Sequence, residues 1–173
     1  MKKNLLMWAL LLLVGTAQAQ VTTNVAKTVS GNVDKQALSK QITQLMRNPK
    51  KPNQDLQFVL SGCHAQQIIR DNKADVQMSQ PVSVSYSKGE SGWGVKLKDG
   101  LFEMKLDFEW ADVTNLSYEA ETDDDDQKYY ELKIKRQKKG GDSITFDLPL
   151  YTTNEAVVKN VMQRLEKVRQ SCK

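Results

Sequence analysis

One histidine, His64, and two cysteines, Cys63 and Cys172, are all the imidazole and thiol this 173-residue chain possesses. One His and two Cys are too few for an ordinary zinc site. A lone histidine has no second imidazole to work with. Cys63 and His64 are also adjacent, and on a strand adjacent side chains point to opposite faces, which removes them as a thiol–imidazole pair. Proline is scarce and aromatic residues make up only 7%. Past Val14 no apolar run is long enough to span a bilayer, which takes about 20 residues.

What is present begins with an export pattern. Met1, Lys2, Lys3 and Asn4 form a basic start, Leu5 to Val14 is an uncharged apolar run, and Ala17-Gln18-Ala19 supplies the small residues a signal peptidase requires. Residues 1–19 are therefore expected to be a cleaved signal peptide, and residues 20–31, polar and without periodicity, a flexible leader. Residues 32–173 are expected to be a single α+β domain, periplasmic or secreted. Of 25 basic residues two, Lys2 and Lys3, fall in the signal, so the remainder carries 23 against 21 acidic, a formal +2. That balance gives no warrant for a nucleic-acid partner. With two cysteines in an oxidising compartment, a Cys63–Cys172 disulfide is the favoured state. A bond to another molecule and two free thiols are the alternatives.

Periodicity predicts the elements. From Asp34 to Arg47, Leu38, Ile42, Leu45 and Met46 recur at helical spacing, with Asn32 or Asp34 as cap and Pro49 as stop. The period then becomes two: Leu56, Phe58 and Leu60; Val82, Val84 and Tyr86; Trp93, Val95 and Leu97. The clearest strand follows Asp99-Gly100. There Phe102, Met104, Leu106, Phe108 and Trp110 share one face, and Glu103, Lys105, Asp107 and Glu109 the other. Leu116 to Ala120, Tyr130 to Ile134 and Ile144 to Leu148 continue the alternation, separated by turns. Residues 66–80 fit either a strand pair or a helical turn. Thr152 to Glu155 reads as a capping box opening a final helix, with Val157, Val158, Val161, Met162, Leu165 and Val168 on one face.

The chemical motifs have plain readings. Leu60-Ser61-Gly62-Cys63 has a lipoprotein-type spelling but lies some forty residues past the signal. Asp123 to Asp126 form a hairpin tip rather than a calcium loop, which spaces its ligands. Gly89, Gly92 and Gly94 around Trp93 are turn residues, since a phosphate cradle needs a helix directly afterwards. Lys133, Lys135, Arg136, Lys138 and Lys139 protect an exposed strand against aggregation. No cofactor or metal is expected, and no catalytic residue. Phe102, Phe108, Trp110, Tyr118, Tyr130 and Phe146 all fall on inward faces, as core or as the lining of a small apolar pocket.

About seven antiparallel strands, a meander or split barrel between an N-terminal helix and a C-terminal capping helix, resembles the pleckstrin-homology-like superfold. The meander from Leu56 to Leu148, the helix from Glu155 to Ser171, and the Trp110-Ala111-Asp112-Val113 corner into Leu116-Ser117-Tyr118 carry the resemblance. It implies a helix-capped barrel, with no particular ligand. The resulting expectation is a non-enzymatic binding module that meets an unknown protein through a sheet edge or a groove beside the last helix. A carrier of a small apolar, lipid-type ligand is the alternative, and a hydrolase the least favoured.

Overall fold

The computed structural model describes residues 33–77, 79–88, 91–137 and 141–173. The expected signal peptide and leader lie outside the described residues, as do Gly89, Glu90 and 138–140. Among the described residues are two helices and eight strands: α1 Lys35–Leu45, β1 Gln54–Ser61, β2 His64–Asp71, β3 Val82–Lys88, β4 Ser91–Lys98, β5 Leu101–Glu109, β6 Val113–Thr122, β7 Lys128–Gln137, β8 Ser143–Leu150 and α2 Glu155–Ser171. A 3-10 turn, Trp110–Asp112, joins β5 to β6.

The α+β class is as expected, but the arrangement is not one meander or a closed barrel. The strands form two antiparallel sheets, β1-β2-β5-β4-β3 and β6-β7-β8. The long β2–β5 ladder, His64 opposite Glu109 through to Asp71 opposite Phe102, leaves the β3–β4 hairpin outside as a wing. Residues 66–80, open between two readings in the sequence, begin inside β2 and then turn.

Both helices start as capping chemistry dictates. The Asp34 carboxylate accepts from the Ala37 N–H at 2.9 Å. At α2 the cap is Asn154, accepting from Ala156 N–H at 3.0 Å. The expected Thr152/Glu155 box does not form. Thr152 accepts from the Asn154 N–H instead, and Glu155 turns to Tyr118 and Lys159.

The core lies where α1, α2, the inner face of β1 and the β7–β8 sheet meet. Leu38, Ile42, Met46, Phe58, Leu132, Leu148, Leu165 and Val168 are fully covered. Phe108 joins the two sheets: its ring stacks on Phe146 at 5.1 Å and on Trp110 at 5.5 Å. The Trp110 indole N–H donates to the Leu165 carbonyl at 3.2 Å, satisfying a buried donor and locating α2. Cys172, at the end of α2, is bonded to Cys63 in the β1–β2 turn, across 109 residues of sequence.

Candidate functional site

Four strands bound these sheets, and three carry devices against strand addition. On β1 the free backbone groups are taken by α1: Ser39 accepts from Leu60 N–H, and Thr43 accepts from Phe58 N–H. β6 carries Glu119 and Glu121 and an irregular register between Val113 and Asn115. β8 has Asp147 and Pro149. Charges, bulges, proline and helical cover are the usual protections of an edge. Among the described residues β3 has none of these from Val82 to Ser87, which read Val-Ser-Val-Ser-Tyr-Ser, between Pro81 before the strand and Lys88 at its end.

The apolar side of that edge is also uncovered. Val84 is 52% exposed, Tyr86 55% and, beside Tyr86 on β4, Trp93 43%. Alternation predicts a buried face here. The face instead overhangs the core, because α1 packs on β1, at the far edge of the five-stranded sheet. The two tips of one apolar face thus have opposite fates.

The opposite face of the same wing is polar and concave. Register stacks it in rows: Ser83–Lys96–Glu103–Arg70, then Ser85–Gly94–Lys105–Ile68, then Ser87–Gly92–Asp107–Gln66, then Glu109–His64–Ser61. Gly92 and Gly94, expected in a turn, stand inside β4. Their missing side chains open a groove of about 820 Å³ between the β3 serines and the charges of β5. At Gly92 the hairpin is so tightly coiled that a Cβ would lie 2.5 Å from the Tyr86 carbonyl oxygen. At Gly94 a Cβ would meet nothing nearer than 3.6 Å.

Two charge clusters line this groove. In one, His64 is clamped between carboxylates, Nδ1 at 3.0 Å from Glu109 and Nε2 at 3.3 Å from Asp107. Burial works against a charged ring, but the hydrogen bonds and charges of Glu109 and Asp107 together outweigh it and raise the pKa above 6.5. Gln66 completes this cluster by donating to Asp107 at 2.7 Å. In the other, three cations converge on Glu103. Arg70 donates to Glu103 Oε2, while Lys96 and Lys105 approach Oε1 at 3.5 and 3.7 Å. The Arg70 hydrogen bond lowers the Glu103 pKa, burial opposes, and the charges of Arg70, Lys105 and Lys96 lower it further.

The remaining motifs resolve into structure. Cys63 is in its disulfide, so it is no nucleophile. Asp123 accepts from the Asp125 and Gln127 N–H groups and so folds the hairpin tip. Glu119, Glu121 and Glu131 cluster on the outer face of β6–β7, where Lys133 pairs with Glu119 and Glu131. Of the aromatic residues, Phe108, Trp110 and Phe146 are buried in the core. Tyr118 and Tyr130 pack against it from its margin, and Phe102 lies half-buried on β5 towards the wing. The buried rings stack on one another at 5.1 to 5.5 Å, as core.

No helix among the described residues is long and apolar enough to cross a membrane. No family model matches the chain, and comparison with curated proteins and with solved structures finds no match. The reading therefore rests on the wing itself. Sequence reasoning missed both of its surfaces. The signal was the pairing of alternate serines at 83, 85 and 87 with alternate glycines at 92 and 94, which means a sheet face without bulk.

Proposed function

We propose that the protein is an exported, non-enzymatic binding module that captures an extended polypeptide segment as an added strand along β3. The supporting observation is the contrast among edges: three are protected along their length, while β3, whose one neighbouring strand among the described residues is β4, presents an exposed apolar row of Val82, Val84 and Tyr86. An added strand gains main-chain hydrogen bonds from the edge and side-chain contacts from that row. The partner segment that fits is unstructured, alternates apolar with small polar residues, and sets its apolar side beside Tyr86 and Trp93.

The state of His64 supports a non-catalytic reading. While protonated, a ring with both nitrogens against carboxylates donates two N–H groups and holds no lone pair for a base. The disulfide is compatible with an oxidising compartment, which supports export. A helix-capped two-sheet core supports kinship with pleckstrin-homology-like proteins, and the order β1-β2-β5-β4-β3 departs from the meander expected of them.

Selection from a displayed library of unstructured dodecapeptides tests the proposal. Enriched peptides should alternate apolar and polar residues, protect the amides of residues 82–87 from hydrogen exchange, and lose binding to Val84→Lys. Enrichment of peptides that bind Val84→Lys equally, or no enrichment at all, overturns it.

A further inference from the structure

A second site lies on the other face of the wing; it shares Ser83 and Ser85 of β3 but does not depend on an added strand. We infer that the groove over Gly94 binds an oxyanion, a sulfate, phosphate or carboxylate group, between the ammonium groups of Lys96 and Lys105. The inference rests on a difference between the two charge clusters. The His64 cluster is closed: both ring nitrogens, Asp107 and Glu109 all have partners within 3.3 Å. The Glu103 cluster is open. Its single carboxylate is shared among three cations, so Lys96 and Lys105 have no carboxylate of their own within 3.3 Å.

Distances show which cations are spent. Arg70 hydrogen-bonds Glu103 Oε2. Lys96 and Lys105 stand at 3.5 and 3.7 Å from Oε1, beyond the ~2.7–2.9 Å of a charge-assisted hydrogen bond. They are held near each other by attraction to one oxygen, yet their N–H groups remain available. Glu103 is itself nearly covered, so it fixes the pair without filling the space in front of it.

That space is shaped for a small polar group. Gly94 lies directly across from Lys105, and Lys96 is two residues along the same strand. A missing side chain at 94 gives the anion room to sit against the sheet. Ser85, opposite Gly94, and Ser83, opposite Lys96, line the far wall with hydroxyl groups. Ammonium groups on one side and hydroxyls on the other match the periphery of an oxyanion, while Tyr86 and Trp93 border the same groove and offer a ring against which a carrier of that group can lie. The oxyanion is either free in solution or borne on a saccharide chain. A groove 820 Å³ in volume and open to solvent accommodates both.

Calorimetric titration of the full chain with two probes, inorganic sulfate and a sulfated disaccharide, tests this. Saturable one-to-one binding is expected. Lys105→Ala and Lys96→Ala should each weaken it by about tenfold, the scale of one charge-assisted hydrogen bond. Gly94→Val is the decisive variant. It removes no charge, its Cβ meets only ordinary contacts, and it fills the floor, so binding should be lost while the melting transition persists. Tighter binding of the disaccharide marks a saccharide-borne group, and equal affinity marks a free anion. The Val84→Lys variant, which disables the β3 edge and adds a cation near the groove rather than removing one, should retain binding of both probes that Gly94→Val abolishes, so the two sites succeed or fail separately. Absence of saturable binding with either probe, or binding untouched by Gly94→Val, overturns the inference and leaves only diffuse attraction between lysines and anions.

Discussion

Thr43, on α1, accepts a hydrogen bond from the Phe58 N–H at 3.0 Å and donates its hydroxyl back to the Phe58 carbonyl at 3.2 Å. A helix side chain thereby takes the place of a neighbouring strand on the outer edge of β1. Ser39 repeats the device one turn earlier on the Leu60 N–H at 2.8 Å. Replacing Thr43 by valine keeps the shape and removes both bonds, leaving a part-buried N–H and C=O without partners. A loss of about 1–3 kcal/mol is expected in urea denaturation, with an unchanged slope.

The disulfide closes a long loop over almost the whole described domain. Cys63→Ser with Cys172→Ser should lower stability by about 2–5 kcal/mol. Far-ultraviolet circular dichroism should stay native, because the covered cluster of α1, α2 and the two sheets remains complete. An equal melting temperature for the oxidised protein and the double variant would contradict this.

His64 makes stability depend on pH in a definite direction. Its pKa is raised in the folded state above the unfolded value near 6.5. Its contribution is therefore fully present below pH 6.5 and is lost as pH rises through the raised value. His64→Gln should be less stable than the parent protein at pH 5.5, and the gap should narrow in alkaline buffer. Melting curves across that range decide it; a gap that widens with pH refutes the clamp.

Two glycines two residues apart should respond differently. Gly92→Ala drives a Cβ to 2.5 Å from the Tyr86 carbonyl oxygen, a backbone atom that has to move. It should cost about 1–3 kcal/mol and loosen amide protection in β3 and β4. Gly94→Ala meets ordinary contacts and should be neutral or slightly stabilising.

The wing is an association hazard in the free protein. Val84→Lys places a charge on a half-exposed site at the sheet edge. Stability should change by less than about 0.5 kcal/mol, while solubility by precipitation assay should rise. A large loss of stability would mean that Val84 is covered.

Local pattern carried much of the architecture into the sequence. Leu38, Ile42 and Met46 at helical spacing, and Leu56, Phe58 and Leu60 at strand spacing, point to the helix and strand that bury them. Pattern fails where partners are remote. Val82, Val84 and Tyr86 alternate as faithfully as Leu56, Phe58 and Leu60, yet only the latter meet a helix. Glu103 lies on the polar face of β5 but is covered, because cross-strand Arg70 and Lys96 fold over it. The groove was illegible for the same reason: glycine in a strand resembles glycine in a turn until Ser85 is known to lie opposite Gly94.

The Cys63–Cys172 bond also divides the described chain into a loop and a tail. Everything from β2 to the end of α2 belongs to a covalent circle, while α1 and β1 are tethered to it only by the exposed Gly62 turn. Leu38, Ile42, Met46, Leu56, Phe58 and Leu60 all travel with the tail. Cutting the backbone after Gly62 would release a linear plug and a circular socket, the plug carrying six and the socket thirteen of the nineteen buried core residues. Reconstitution from those two fragments, driven by the plug's own oily face, is the behaviour this connectivity entails.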